Sequence, residues 1–328
     1  MSNMKASLAT ILALLSIASA ASISEECQIQ KNNITCKCGG NKEFYLPEDY
    51  MYKNTTSLRL SSCSNAVLLF PSLSEATNMK ELIIENISEQ LTLELMLSVK
   101  NFSRFELTNV KGIPVIKPDL FISFKKIEHF VLRNVFIESF EEHFTETRVV
   151  NLVMVNVTIG RIEGFNFKER GEKLEIINCE FRNITKSMNF HFTNVTIIDS
   201  RFEMQKPEYF HINSDYAFVQ NNVFLNVAME LVGSKKIIVN NTCAGGQSNL
   251  RLSSFDIRSF NNKWPTDIIH SPNIQNELKV PSRGNNVVCK AGNCQCPKSN
   301  GQNGNRAIAA TFFLEFFLIW LTYVMSRL

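Results

Sequence analysis

A phrase of the form L-x-L-x-N returns through most of this chain, and that recurrence restricts the fold more than any other feature of it. It reads Leu82-x-Ile84-x-Asn86, Phe105-x-Leu107-x-Asn109, Phe130-x-Leu132-x-Asn134, Leu152-x-Met154-x-Asn156 and Leu174-x-Ile176-x-Asn178. Val195-x-Ile197-x-Asp199, Ala217-x-Val219-x-Asn221 and Ile237-x-Val239-x-Asn241 continue it, with Leu58-x-Leu60-x-Ser62 as a first copy. The last positions step by 24, 23, 25, 22, 22, 21, 22 and 20 residues. Neighbouring columns keep the same period. One residue on stand Ile87, Val110, Val135, Val157 and Cys179, and three on stand Ile137, Ile159, Phe181, Phe202 and Phe224. Apolar columns at a common period of this length mean that each unit buries its face only by stacking on the next.

The spacing L-x-L-x-x-(C/V/N)-x-(I/F), with a Cys-rich segment before it, resembles a leucine-rich repeat. The same positions resemble a right-handed parallel β-helix with an Asn at the bend after the first strand of each coil. The second half of each unit separates the two. Apolar residues alternate there, as in Phe165/Phe167, Phe190/Phe192, Phe210/Ile212 and Met229/Leu231, and period two is a strand pattern. The fold expected is therefore all-β, a parallel β-solenoid over 57–255 with coils of about 20–25 residues, and a leucine-rich-repeat solenoid is the alternative. Asn suits the bend because it tolerates left-handed backbone and hydrogen-bonds locally. Stacked Asn side chains can also bond to one another along the axis.

The two ends set the expected compartment. Lys5, the apolar run Leu8 to Ile17 and Ala18-Ser19-Ala20 read as a secretory signal over 1–20. A second apolar run, 307–325, lies near the C-terminus. Two readings compete for it, a membrane-spanning helix and a signal for a glycolipid (GPI) anchor. Glu315 inside the run opposes the helix. Ser299-Asn300-Gly301, with Ser299 or Asn300 as attachment residue, followed by a polar-to-weak spacer over 302–311, makes 299–311 a stalk or attachment region and favours the lipid. Eight N-x-S/T sequons fit a secreted glycoprotein: Asn33, Asn54, Asn86, Asn101, Asn156, Asn183, Asn194 and Asn240. Asn86 and Asn156 also belong to the bend column, and a buried Asn there could carry no glycan.

All 9 Cys follow the signal. Cys27, Cys36, Cys38 and Cys63 form one group, in an N-terminal cap over 21–63. Cys243, Cys289, Cys294 and Cys296 form another, associated with a cap over 256–298 where the repeat fades. Solenoid ends need such caps. Cys36/Cys38 and Cys294/Cys296 are poor partners for each other, which leaves two connectivities in each group. Cys179, in an apolar column, is expected as a free core thiol.

Chemistry is thinly signalled. Lys+Arg 34 against Asp+Glu 31 gives a net charge of +3 and argues against nucleic-acid binding. Resemblance to β-helix polysaccharide lyases and hydrolases implies carboxylates on adjacent coils, and Glu141 and Glu163 are the best-placed pair, with Lys206 in their column. His191 and His211 alternate with core aromatics and form a second candidate pair on the surface. No metal-ligand spacing, cofactor motif or nucleophile elbow occurs. The function expected is that of a membrane-tethered, non-catalytic recognition or adhesion module at the cell surface. It would bind an extracellular protein or a matrix glycan, with self-association also open. A carbohydrate-active enzyme and a structural matrix component are the alternatives.

Overall fold

A computed structural model describes residues 27–39, 43–46, 52–69, 73–95, 97–141, 144, 146–244, 249–264, 269–270 and 287–288. The chain divides into two units, Met1–Cys294 and Gln295–Leu328, and every described residue lies in the first. The signal-like 1–20, Cys289, Cys294, Cys296, Ser299, Asn300 and the apolar 307–325 lie outside the described residues.

The described chain is a parallel β-solenoid of about 9 turns, 74% strand. Each turn lays its strands directly on the equivalent strands of the turn before. Leu152 is in register with Phe130 and Leu174, and Ile176 with Met154 and Ile197. Residues one period apart in sequence are thus one rung apart in space. The leucine-rich-repeat alternative fails because the second half of each unit is strand, as in Phe165–Asn166, Met188–Ile198 and the long Arg201–Gln220.

The bend falls where the repeating polar residue stands. Ser62, Asn86, Asn109, Asn134, Asn156, Asn178, Asp199, Asn221, Asn240 and Asn261 all have φ between 52° and 61°. A Cβ is costly in that region, and Asn and Asp offset the cost by hydrogen bonding locally. Here they bond along the stack. Asn109 Nδ2 donates to Asn86 Oδ1 (2.8 Å), Asn134 to Asn109 (2.7 Å), Asn156 to Asn134 (2.9 Å) and Asn178 to Asn156 (3.3 Å). After a break the pattern resumes with Asn221 and Asp199 (3.0 Å). This ladder stands at the surface, so the conflict between ladder and sequon at Asn86 and Asn156 does not arise.

A second ladder runs inside the first. One residue past the bend, the early turns place Cys63, Ile87, Val110, Val135, Val157 and Cys179 in the core. From Ser200 onward the column is polar and buried: Ser200, Asn222, Asn241, Asn262. Each of these Asn side chains accepts the backbone N–H of the rung before it. Ser200 N–H donates to Asn222 Oδ1 (2.8 Å), Asn222 N–H to Asn241 Oδ1 (3.0 Å) and Asn241 N–H to Asn262 Oδ1 (2.9 Å). Their amide groups donate to carbonyls of the preceding turns, for example Asn222 to Ile197 and Asn241 to Val219 (both 2.9 Å). Asn241 is therefore not the bend residue that the repeat spacing suggests. Val219 pairs with Ile238 and Gln220 with Val239, which puts Asn240 at the bend and Asn241 in the core.

Met188 and Phe190 align with Phe210 and Ile212. One other sequence expectation shifts. The turn also continues past 255, because Lys235, Ile237 and Val239 pair with Asp256, Arg258 and Phe260. A cap beginning at 256 is thereby displaced by one rung of solenoid.

The interior is filled by rings without polar atoms, in line with 25 Phe against 6 Tyr and 2 Trp. Phe181, Phe202 and Phe224 form one pile, with centroids 4.8 and 5.3 Å apart and planes within 10°. Cys243 follows Phe224 in the same column, buried. At the N-terminal end, Cys27–Gln30 pairs antiparallel with Asn33–Lys37, which lies parallel on Ser57–Leu69. Disulfides Cys27–Cys36 and Cys38–Cys63 tie this end to the first turn. A reversed strand covers the edge that would otherwise accept another chain.

Two substitutions test this packing. Phe202→Ala should cost about 3–5 kcal/mol in chemical unfolding, since rings stack on both sides of it. Asn134→Gly keeps the bend but loses two ladder bonds, and Asn134→Ala also incurs left-handed strain, so the stability order expected is Asn, then Gly, then Ala. Equal stability of the Gly and Ala variants would remove the conformational argument.

Candidate functional site

Each rung shows solvent the side chains that alternate with the core. On the sheet leading into the bend, the outward positions lie three residues and one residue before it. In the early turns these are charged or polar apart from Ile83, as with Arg59, Glu85, Glu106 and Arg133. Arg59 pairs with Glu85 (3.2 Å), and Arg104 Nε donates to Glu106 Oε2 (2.6 Å). From Val131 in the first column and Val155 in the second, most of these positions become apolar. Val131, Val153, Phe218 and Ile237 occupy the first, and Val155, Ile177, Ile198 and Val239 the second. These residues are in register from rung to rung, Val131 on Val153 and Phe218 on Ile237. Most are half-buried, shielded only by their neighbours in the sheet. Glu175 and Thr196 interrupt the first column and Gln220 the second, and Glu175 is held by Lys173 (2.9 Å).

The stripe spans five rung steps, about 24 Å, and its outward columns cover roughly 13 Å. The strip so bounded is about 300 Å² with Glu175, Thr196 and Gln220 inside it, the size of the largest apolar patch on an ordinary monomer, which is often functional. The other outward faces differ. Glu180–Arg182 (2.6 Å) and Arg201–Glu203 (3.4 Å) are ion pairs on the sheet after the bend. His211, Glu230 and Arg251 follow one another on the third sheet, with His211 Nδ1 3.3 Å from Glu230 Oε2 and Arg251 3.9 Å from Glu230 Oε1.

All eight sequon asparagines are exposed. Asn86, Asn156 and Asn240 stand at the bend, Asn156 and Asn240 beside the stripe and Asn86 two rungs before it begins. Asn194 stands on its opposite border, in register with Tyr216 on the next rung. Asn183 occupies a second left-handed position, on the far side of the coil.

Glu141 and Glu163 do stack. The Glu141 amide donates to Ile116 O (3.0 Å), the Glu163 amide to Phe140 O (3.1 Å), and the next residue in that column is Thr185, whose amide donates to Ile162 O (3.0 Å). Glu163 Oε2 lies 2.8 Å from Lys186 Nζ, and Lys206 is occupied with Glu208 (3.2 Å). Register separates the two histidines. His211 aligns with Asn189 and His191 with Asn213, so they are two positions apart on adjacent rungs. Among the described residues, no group of three or more His, Cys, Asp or Glu could hold a metal ion, and no helix is long and apolar enough to cross a membrane.

One core position was not legible in advance. Four residues before the bend, the column runs Leu152, Leu174, Val195, Ala217 and then Lys236. Lys236 is 0% exposed. Aligning the tandem Asn pairs Asn221-Asn222 and Asn240-Asn241 by their first members would have revealed it.

Cys179 is buried and outside any disulfide. Its Sγ faces Ile177 O (3.3 Å) and Met154 O (3.5 Å), and burial pushes the thiol up to about 11. It should resist alkylation in the native chain at neutral pH and react fully once unfolded. Fast native labelling would mean that the core opens at this rung.

No protein-family model, curated protein or solved structure matches the chain.

Proposed function

We propose that this chain is a membrane-tethered extracellular glycoprotein whose solenoid acts as a non-catalytic recognition or adhesion module, with the apolar stripe from Val131 to Ile237 as its contact surface. That stripe is the observation that carries the reading. A β-solenoid needs apolar residues on its inner face only, so at least one outward Val, Ile or Phe on each of six consecutive rungs requires another reason to be there. The partner is a protein rather than a matrix glycan, because aliphatic side chains without fixed polar groups offer little to sugar hydroxyls. The stripe covers about two-fifths of the ~800 Å² that one side of a standard complex buries, which suits the dry centre of such an interface with a polar rim.

The signal-like 1–20, the apolar 307–325, the two disulfides and eight exposed sequons support a secreted, surface-held protein. Glycans at Asn156, Asn194 and Asn240 would flank the stripe and direct a partner onto it. The carbohydrate-active alternative has weaker support, since Glu163 is already engaged by Lys186.

Two experiments test the reading. Val153→Asp combined with Ile198→Asp should reduce binding of cells or of a captured partner at least tenfold, with the unfolding midpoint shifted by no more than a few degrees. Unchanged binding would remove the stripe from the function. Phosphatidylinositol-specific phospholipase should release the intact ectodomain from cells if the anchor is lipid. Retention together with a detectable C-terminal epitope would establish a spanning helix instead.

A further inference from the structure

The apolar stripe is closed by charge at both ends, and the two ends carry the charges in opposite order. One rung before it begins, Arg104 and Glu106 stand five and three residues ahead of the bend at Asn109. One rung after it ends, Asp256 and Arg258 stand five and three residues ahead of the bend at Asn261. Register joins Glu106 to Arg258 through a single column of eight rungs, whose middle step runs from Glu175 to Thr196. Arg104 keeps 44% of its side chain exposed although it is bonded to Glu106. Among the described residues, neither Asp256 nor Arg258 makes an ion pair.

A surface whose ends carry opposite charges in matching columns is complementary to its own reversed copy. Consider a second copy laid face to face and antiparallel, with a two-fold axis along the strands, midway between Glu175 and Thr196. Arg104 then lies over Asp256 of the other copy and Glu106 over Arg258, each pair occurring twice. Between these ends Val131 meets Ile237, Val153 meets Phe218 and Ile177 meets Ile198. Glu175, the one carboxylate inside the stripe, meets the hydroxyl of Thr196. A shift of one rung either way sets Glu175 against its own counterpart or against Phe218. Parallel axes set it against its counterpart or against Ile177. The less favourable contacts are few. Arg133 meets Val239, along which its aliphatic stem lies, and His129 faces Lys235 at the border. Asn194 faces Lys173 on that same border, so a glycan at Asn194 sits at the rim.

We propose that the stripe binds the stripe of a second copy of this chain, the two solenoids antiparallel, with Arg104, Glu106, Asp256 and Arg258 closing both ends. This rests on the reading of the stripe as the contact surface and names the partner of that surface. The three outward columns over these rungs bound about 34 Å by 13 Å, roughly 450 Å² a side. The total of about 900 Å² belongs to weak, transient contacts. Such a contact becomes effective when many copies meet at once, as between two cell surfaces. Antiparallel axes put the C-terminal rungs at opposite ends of the pair, which suits chains held in facing membranes.

The test displays the full chain on two differently dyed populations of cells that do not otherwise clump. Wild-type cells should clump with one another and not with cells that lack the chain. Asp256→Lys sets a cation against Arg104, and Arg104→Glu sets a carboxylate against Asp256, so cells with either variant alone should clump about tenfold less. Mixed together, the two variants should clump as wild type does, because every contact between them again joins opposite charges. Arg104 also holds Glu106. If Arg104→Glu does not fold, Val131→Lys mixed with Ile237→Glu carries the same test. Wild-type cells that stay dispersed overturn the proposal, as do variants that clump unchanged or a mixture that clumps no better than its parts. The stripe is judged separately. If wild-type cells stay dispersed while Val153→Asp with Ile198→Asp still lowers binding to other cells, the contact surface stands and its partner is a different protein.

Discussion

In-register parallel stacking is the constraint on which the rest of this molecule depends. It places each residue directly against its counterpart one turn away, so every column must solve one packing problem repeatedly. Phe181, Phe202 and Phe224 solve it with nearly parallel rings. The bend column solves it with amides that tolerate left-handed backbone and bond to one another. A residue that suits one rung but not its neighbours stands out at once, and for that reason Lys236 is conspicuous among Leu, Val and Ala.

The change from outer to inner ladder divides the solenoid. Up to Cys179 the position after the bend is apolar, and the amides at the surface carry the polar contacts between rungs. From Ser200 the position is polar, and buried Asn side chains serve the backbone N–H groups of the preceding rung. Buried amides are costly unless fully satisfied, and here both the oxygen and the nitrogen of Asn222 and Asn241 find partners. The outward apolar stripe crosses this boundary, interrupted at Glu175, Thr196 and Gln220, so it answers to something other than core construction.

Much of this was legible in the sequence, because a column of similar residues leaves a period that needs no alignment to detect. The bends, the apolar columns and the strand character of the second half follow from spacing and alternation. What failed did so where a column changes chemistry. Asn241 satisfies the L-x-L-x-N phrase with Ile237 and Val239, whereas Asn240 has Lys236 at the first position, so the spacing slides the ninth turn by one residue. That slip placed Ile237 in the core and Lys236 outside, the reverse of their actual positions. The rung at 256–260 was missed because Ser259 stands where the earlier turns have Val, Ile or Met. The contact surface was hidden for a different reason. Outward columns carry no packing requirement, and only the established register turns Val131, Val153, Phe218 and Ile237 into one stripe.

The most direct test of the stacking is a pair of engineered cysteines on adjacent turns. Glu175 and Thr196 face each other across one rung, at a separation a disulfide can bridge. Glu175→Cys with Thr196→Cys should oxidise readily to an intrachain bond in the native chain. Glu175→Cys with Ile198→Cys, two positions out of register, should remain reduced under the same conditions. Efficient bonding in the second pair, or none in the first, would contradict the rung-on-rung arrangement.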